Sequence, residues 1–364
     1  MKIKLYLLLV VILTVSQITF SQEKTNISWW NPAESKIAVI DGQGWPNEVQ
    51  SSYDRLPERA EKTVRKPVWN LSKQSAGLKI RFRSNAEEVK VRYKVNGNFA
   101  KPHMPATGVS GVDLYAKDSD GKWMWCKGNY SFGDTVTYNF KNITANDKYH
   151  ELGREYHLYL PLYNSVEWLK IGVAGDAHFE PLPTRKEKPI VVYGTSIAQG
   201  ACASRPGMAW TSILERKMDR PLINLGFSGN GRLETELIDL LSEIDAKIYI
   251  LDCLPNLALN ENRSAGNVHQ LIISSVKRLR KNSSVPILLV EHAGYSDGTS
   301  SIKRYNAFND LNKIMKTTFA QLKSEGITNI FLLTEPEIGM SLESYVEGTH
   351  PSDLGMTYLA TAYE

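Results

Sequence analysis

The sequence predicts an α/β fold, a flavodoxin-like doubly wound parallel sheet in residues 188–364, preceded by an all-β sandwich in residues 27–180. Three observations carry this. Apolar and polar residues alternate with period two through the first half, as in strands with one wet face. A stretch rich in proline and charge, His178–Lys188, then breaks the pattern. Beyond it, short β-branched apolar runs alternate with segments of helical period, the pattern of βαβ units. With 364 residues, 42% of them apolar, there is material for two cores.

Taken in order, the chain opens on Met1–Ser21, which reads as a secretory signal. Lys2 and Lys4 precede Leu5–Val15, an apolar run too short to span a bilayer, and Thr19 and Ser21 offer small residues for cleavage. Export to the periplasm or beyond is expected, with no stable membrane insertion after removal. Strand candidates follow at Leu78–Arg83, Val89–Val95, Val112–Tyr115, Trp123–Cys126, Thr135–Phe140, Tyr156–Leu160 and Val166–Val173. Turn signals at Asn96-Gly97, Asp120-Gly121 and Gly133-Asp134 separate several of them. In the second half, strands are expected at Pro189–Tyr193, Leu222–Leu225, Ile248–Leu251, Ile287–Val290 and Ile330–Leu333. Helices are expected at Met208–Met218, Leu233–Ile244, Ala265–Arg280 and Tyr305–Lys323, and the chain stops inside a further helical stretch.

The formal charge of +4 is small and no run of Lys or Arg suggests a nucleic-acid face. Cys126, Cys202 and Cys253 are odd in number, which rules out a full disulfide framework, and no C-x-x-C pair suggests a metal site. Cys202 and Cys253 both follow strands of one sheet and could approach, but free or buried thiols are the expectation. No Asp/His cluster has metal-ligand spacing, and no cofactor is implied.

The chemistry gathers after the parallel strands. The first ends in Gly194-Thr195-Ser196, delivering a hydroxyl at the carboxyl edge, where ligands bind in open α/β sheets. This is not the Gly-x-Ser-x-Gly elbow of the α/β-hydrolases, because Ala198 stands at the second glycine. An isolated Gly-x-Ser is ordinarily a helix cap; three downstream loops argue otherwise. They are Gly226–Gly231, whose amides can face an anion, Asp252–Asn256, ending in an amide, and Glu347–Pro351, carrying His350. Serine, glycine amide, asparagine amide and histidine supply a nucleophile, two oxyanion donors and a base.

This set resembles the SGNH (GDSL-type) hydrolases. Gly194-Thr195-Ser196 stands at that family's Gly-Asp-Ser, Gly229 at its block-two glycine, Asn256 at its block-three asparagine, and Glu347–Pro351 at its terminal Asp-x-x-His. Upstream, Gly111-Val112-Asp113-Leu114-Tyr115 resembles the Gly-x-Asp-Leu-Tyr signature of a β-rich domain found before one bacterial subgroup. The resemblance implies a catalytic Ser196 and His350, with the Ser196 and Gly229 amides and the Asn256 side chain as oxyanion donors. It departs from the family at Thr195, in place of an aspartate not needed for chemistry, and at Glu347, in place of the aspartate that orients the histidine. Whether Glu347 completes a triad or a Ser–His pair operates is left open by the sequence.

His292, after the fourth parallel strand, and His103, just before the Gly111 signature, are candidate substrate-binding residues; a surface-loop histidine is the competing reading for His103. His150, His157, His178 and His269 have no supporting context. Family resemblance, export and the β-rich domain imply a serine esterase acting on an O-acylated carbohydrate, with a lipase or lysophospholipase-type esterase, or a catalytically weak carbohydrate-binding protein, as alternatives.

Overall fold

The computed structural model describes residues 26–143, 153–281 and 283–364. The expected signal segment and His150 lie outside them. Two antiparallel sheets form the first half. One runs in the order Ile27–Trp30, Ser165–Ala174, Val89–Asn96, Val136–Phe140, Gly128–Ser131. The other runs Phe179–Pro181, Lys79–Ser84, Arg154–Tyr159, Asp113–Lys117, Trp123–Cys126, with Ile40–Asp41 beside Lys79–Ser84. Alternation puts Val89, Val91 and Tyr93 inward against Ile80, Phe82, Leu114 and Leu158 in one shared core, the arrangement of packed sheets. Lys90, Arg92 and Lys94 stay on the wetter face.

Lys79 departs from its alternating pattern. It is 3% exposed, because the outer face of its sheet lies against the second half of the chain. There its ammonium meets the buried carboxylate of Glu215, which also accepts from Tyr159 Oη at 2.6 Å. Burial of two opposite charges is tolerated only where each is fixed against its partner.

The second half holds five parallel strands: β1 (Ile190–Gly194), β2 (Leu222–Gly226), β3 (Ile248–Asp252), β4 (Ile287–Val290) and β5 (Ile330–Leu333). Their order across the sheet is β2-β1-β3-β4-β5, and the reversal falls between β1 and β3. A crevice opens at such a point outside the strand ends. Successive residues face opposite layers. Val191, Tyr193, Tyr249, Leu251, Ile287 and Leu289 pack under the helices Thr235–Ser242, Ala265–Arg280 and Ile302–Ser324. Ile190, Val192, Ile250 and Val290 pack under Trp210–Met218 and Asp353–Tyr363.

The helix bounds carry local causes. Ser264 caps Ala265–Arg280, accepting from Asn267 N–H at 3.2 Å in a capping box. Ser301 starts the Ile302–Ser324 helix three residues before the expected Tyr305. Leu233 cannot open the helix predicted from it, because its φ is +55°, so helical geometry begins at Thr235.

One finding corrects the period-two reading of the first half. Residues between Ile40–Asp41 and Lys79–Ser84 form no strand; they make a 3₁₀ turn, Glu58–Lys62, and a helix, Lys66–Ser72. Trp45, Leu56, Val64, Val68 and Trp69 pack not in the sandwich but in the core of the parallel sheet. Arg55 locks this strap down. Fully buried, it donates to the carbonyls of Leu71 (2.8 Å), Gln74 (2.7 Å), Asn224 (3.0 Å) and Gly226 (2.8 Å). Its guanidinium also lies over the Phe227 ring, 4.9 Å from the centroid. Burial pulls its pKa down to about 9, outweighing the opposing pull of Tyr163 and Asp54. Among the described residues, no helix is long and apolar enough to cross a membrane.

Candidate active site

Ser196 is the first residue of a one-turn helix, Ser196–Gln199, that leaves the end of β1. The helix is capped by Thr195, whose Oγ1 accepts from Ile197 N–H at 3.3 Å. The neighbouring threonine does the capping, and the Ser196 hydroxyl is free for other work. It meets His350 Nε2 at 2.8 Å.

His350 sits on a loop closed by an antiparallel bridge between Tyr345 and Pro351. On its far side, His350 Nδ1 makes a short hydrogen bond to Glu347 Oε1, which also accepts the His350 backbone N–H at 2.9 Å. Two bonds from one residue to one carboxylate oxygen fix the ring plane and place the Nδ1 proton toward Glu347. The longer stem of glutamate therefore still reaches the imidazole. Arg304 was not singled out by any sequence pattern, yet it holds this loop. Its Nη2 donates to Thr349 Oγ1 at 2.9 Å and Gly348 O at 3.3 Å, while Nε pairs with Asp297 and the guanidinium stacks 3.5 Å over Tyr295.

The loop after β2 reaches the same edge. Gly231 must be glycine, since a Cβ there would lie 2.1 Å from the Gly194 carbonyl oxygen. Its N–H donates to Asn256 Oδ1 at 3.0 Å. That bond commits the amide oxygen and leaves the Nδ2 hydrogens as the donors Asn256 offers. Gly229 has φ +69° and open space around its Cα. The structure thus brings Ser196, His350 and Glu347 into one hydrogen-bonded chain and sets Asn256 and the Gly229 loop at the same strand ends.

His103 comes from the accessory half, on the tight loop between Lys101 and Met104. It is exposed, and its ring stacks on that of His350, centroids 5.7 Å apart and planes at 26°. The structure corrects the expectation for His292. That ring is 1% exposed, packed against Tyr295 and Phe308, with Nδ1 accepting from Gly294 N–H at 2.9 Å. Burial pushes its pKa down to about 3, with the Arg304 charge adding to the effect, so it is a neutral core residue and lines no open surface. All three cysteines are free; Cys202 and Cys253 do not join.

The Gly111–Tyr115 stretch lies at the junction of the two halves. A Cβ at Gly111 would come within 2.4 Å of Thr107 O and Tyr138 Oη. Asp113 is buried and accepts from Trp125 Nε1 (2.7 Å), Arg205 Nη1 (2.6 Å) and Gly207 N–H (3.0 Å). Tyr115 Oη accepts from the same Arg205 nitrogen at 2.5 Å. The loop carrying Arg205 leaves the Ser196–Gln199 helix, so the signature anchors it from the accessory side.

A serine–histidine–carboxylate chain at the switch point of a doubly wound sheet defines a serine hydrolase of the non-elbow type. Comparison with known proteins agrees. Residues 187–364 match the model of the GDSL-like lipase/acylhydrolase family, and residues 27–179 match that of the N-terminus of SGNH-hydrolase-type esterases. A protein described as a GDSL-like lipase from Bacteroides ovatus is 31% identical, with a TM-score of 0.82, over 93% of this chain and 96% of its own. The chain belongs to this SGNH/GDSL esterase family. A salicylyl-acyltransferase from a tetracycline biosynthetic pathway shares the fold at 17% identity (TM-score 0.69, 93% and 95% coverage). So does a family two carbohydrate esterase from Cellvibrio japonicus at 10% (TM-score 0.54, 93% and 96%). No curated protein matches the chain.

Proposed function

We propose that this chain is an exported serine esterase that removes small acyl groups, acetyl above all, from carbohydrate hydroxyls. The observation that carries the esterase part is the Ser196 Oγ–His350 Nε2 contact of 2.8 Å, backed by Glu347 on Nδ1. His350 Nε2 takes the Ser196 proton as Oγ attacks the ester carbonyl. The carbonyl oxygen, now anionic, is met by the Ser196 and Gly229 amides and by Asn256 Nδ2. The tetrahedral species collapses, and His350 returns the proton to the departing sugar oxygen, leaving Ser196 acylated. Water then gives a proton to His350 and attacks the acyl carbonyl; the proton returns to Ser196 as acetate leaves. Glu347 keeps the imidazole oriented and balances its charge at each protonated stage.

The carbohydrate part is supported by the character of the residues around Ser196. His103, stacked on His350, and Ser228, Gly229, Asn230 and Arg232, on the loop after β2, are all at least partly exposed and offer hydrogen-bonding groups rather than an apolar track for an acyl chain. A carbohydrate esterase among the fold relatives points the same way, and Met1–Ser21 supports export. The test is a chain-length series of p-nitrophenyl esters together with acetate release from defined O-acetylated polysaccharides. The reading expects turnover to fall steeply beyond acetyl and propionyl, with acetate released from at least one polysaccharide. Preference for acyl chains of eight carbons or more would refute it in favour of a lipase.

A further inference from the structure

The loop that brings His103 to the site also completes a cluster of His350 with a thiol, Cys202, that ester hydrolysis does not use. His103, Cys202 and His350 each present a ligand atom, and these atoms all lie within 4.8 Å of one another. They come from three separate places: the accessory loop, the turn after the nucleophile helix, and the terminal loop. Cys202 is buried, held at a φ of +68°, and its Sγ–H donates to the His103 carbonyl at 3.4 Å. The two imidazoles stack beside it.

We propose that His103, Cys202 and His350 form a binding site for one zinc-class divalent cation, and that its occupancy switches the esterase off. The switch rests on the reading of Ser196 and His350 as nucleophile and base. Two imidazoles and a thiolate suit a borderline-soft ion such as Zn²⁺; with no carboxylate among the three donors, Mg²⁺ and Ca²⁺ are poor matches. His350 is already arranged as metal-bound histidines are, with its remote nitrogen on a carboxylate, here Glu347. With Zn–N near 2.0–2.1 Å and Zn–S near 2.3 Å, donors around a tetrahedral ion stand roughly 3.5 Å apart. The cluster must therefore contract by about 1 Å, and His103, exposed on its loop, is the ligand free to move. On binding, the Cys202 thiol gives its proton to solvent and the ion takes the Nε2 lone pair of His350. That lone pair can then no longer accept the Ser196 proton. The fourth position on the ion is left to water.

Co²⁺, which absorbs visibly where Zn²⁺ is silent, is the probe. Added to the full chain carrying Ser196→Ala, which keeps all three ligands, it should give tetrahedral bands and a thiolate-to-cobalt charge-transfer band at one equivalent, both displaced by Zn²⁺. In the unsubstituted enzyme, Zn²⁺ should inhibit p-nitrophenyl acetate hydrolysis reversibly, with activity restored by a chelator. Cys202→Ala, and Cys202→Ser, which keeps a donor for the His103 carbonyl, should retain turnover, lose the charge-transfer band and raise the inhibiting Zn²⁺ concentration roughly 100-fold or more. Absence of the charge-transfer band from Ser196→Ala, or unchanged Zn²⁺ sensitivity in both Cys202 variants, overturns the site. A metal-free enzyme with no turnover but an intact cobalt band overturns the esterase reading and the off-switch, and leaves the metal site standing.

Discussion

Asp113 and Arg205 lie on opposite sides of the junction between the two halves, joined by an ion pair of 2.6 Å in which the carboxylate is buried and the guanidinium a quarter exposed. Arg205 adjoins Ser204, whose N–H and hydroxyl both donate to Asp353 at the start of the last helix, directly after the His350 loop. One short chain of contacts thus runs from the accessory sheet past the turn after Ser196 to the helix that follows His350. Asp113→Asn keeps the shape and removes the charge. It should destabilise the protein by about 1–3 kcal/mol, as leaving a buried hydrogen-bonding group short of a partner does, read by urea unfolding. A change within 0.5 kcal/mol would mean the junction does not depend on this pair.

Ser196→Ala should abolish ester turnover and leave the melting temperature almost unchanged. The helix cap is Thr195, so losing the Ser196 hydroxyl removes no capping bond. A folded Ser196→Ala protein that still hydrolyses p-nitrophenyl acetate at near the normal rate rules out the serine mechanism.

Glu347→Gln keeps size and a carbonyl acceptor but not the charge that stabilises the imidazolium. With Glu347 Oε1 seated on His350 Nδ1, kcat should fall by roughly 10⁴-fold, the loss seen when the equivalent carboxylate is neutralised in a serine protease triad. His350→Ala should be at least as damaging, since nucleophile and base act as one unit. Measured at matched pH, a Glu347→Gln enzyme with most of its turnover would mean a Ser–His pair suffices.

Asn256→Ala removes one oxyanion donor and the acceptor of Gly231 N–H. A fall in kcat of roughly 10²–10³-fold is expected, with KM little altered. An effect on KM alone would make Asn256 a substrate contact.

His292 gives the protein an acid-sensitive core. Its folded-state pKa, near 3, lies below the ordinary 6.5. Below pH 6.5 the unfolded chain takes up a proton that the folded one refuses, so stability is fully present above 6.5 and falls as the pH drops toward 3. The full loss is of the order of a few kcal/mol. His292→Gln, whose carbonyl can still accept from Gly294 N–H, should flatten the dependence of unfolding free energy on pH in that window. An unchanged slope would place the sensitivity elsewhere, with the buried His157 as the next candidate.

What the sequence determined by itself are the features set by local rules. The alternation in Val89–Asn96, the five short apolar runs of the parallel sheet and the Ala265–Arg280 helix were all legible, because each depends on periodicity within about 15 residues. The gathering of the loops that carry Ser196, Asn256 and His350 was legible for a related reason, since parallel connections deliver every strand's following loop to one edge. Tertiary structure decided the rest. The strap at 45–72 has helical turns, but only the exposed face of the parallel sheet determines that Trp45 and Trp69 are buried there. Arg55 and Lys79 carry ordinary surface-type side chains, and become internal because distant carbonyls and a carboxylate lie opposite them. His292 and His103 exchanged their expected weight for the same reason: burial and a packing partner from another domain are properties of distance in space. So is the meeting of His103, Cys202 and His350. No spacing in the chain announces it, because their approach exists only once the accessory loop has docked on the hydrolase half.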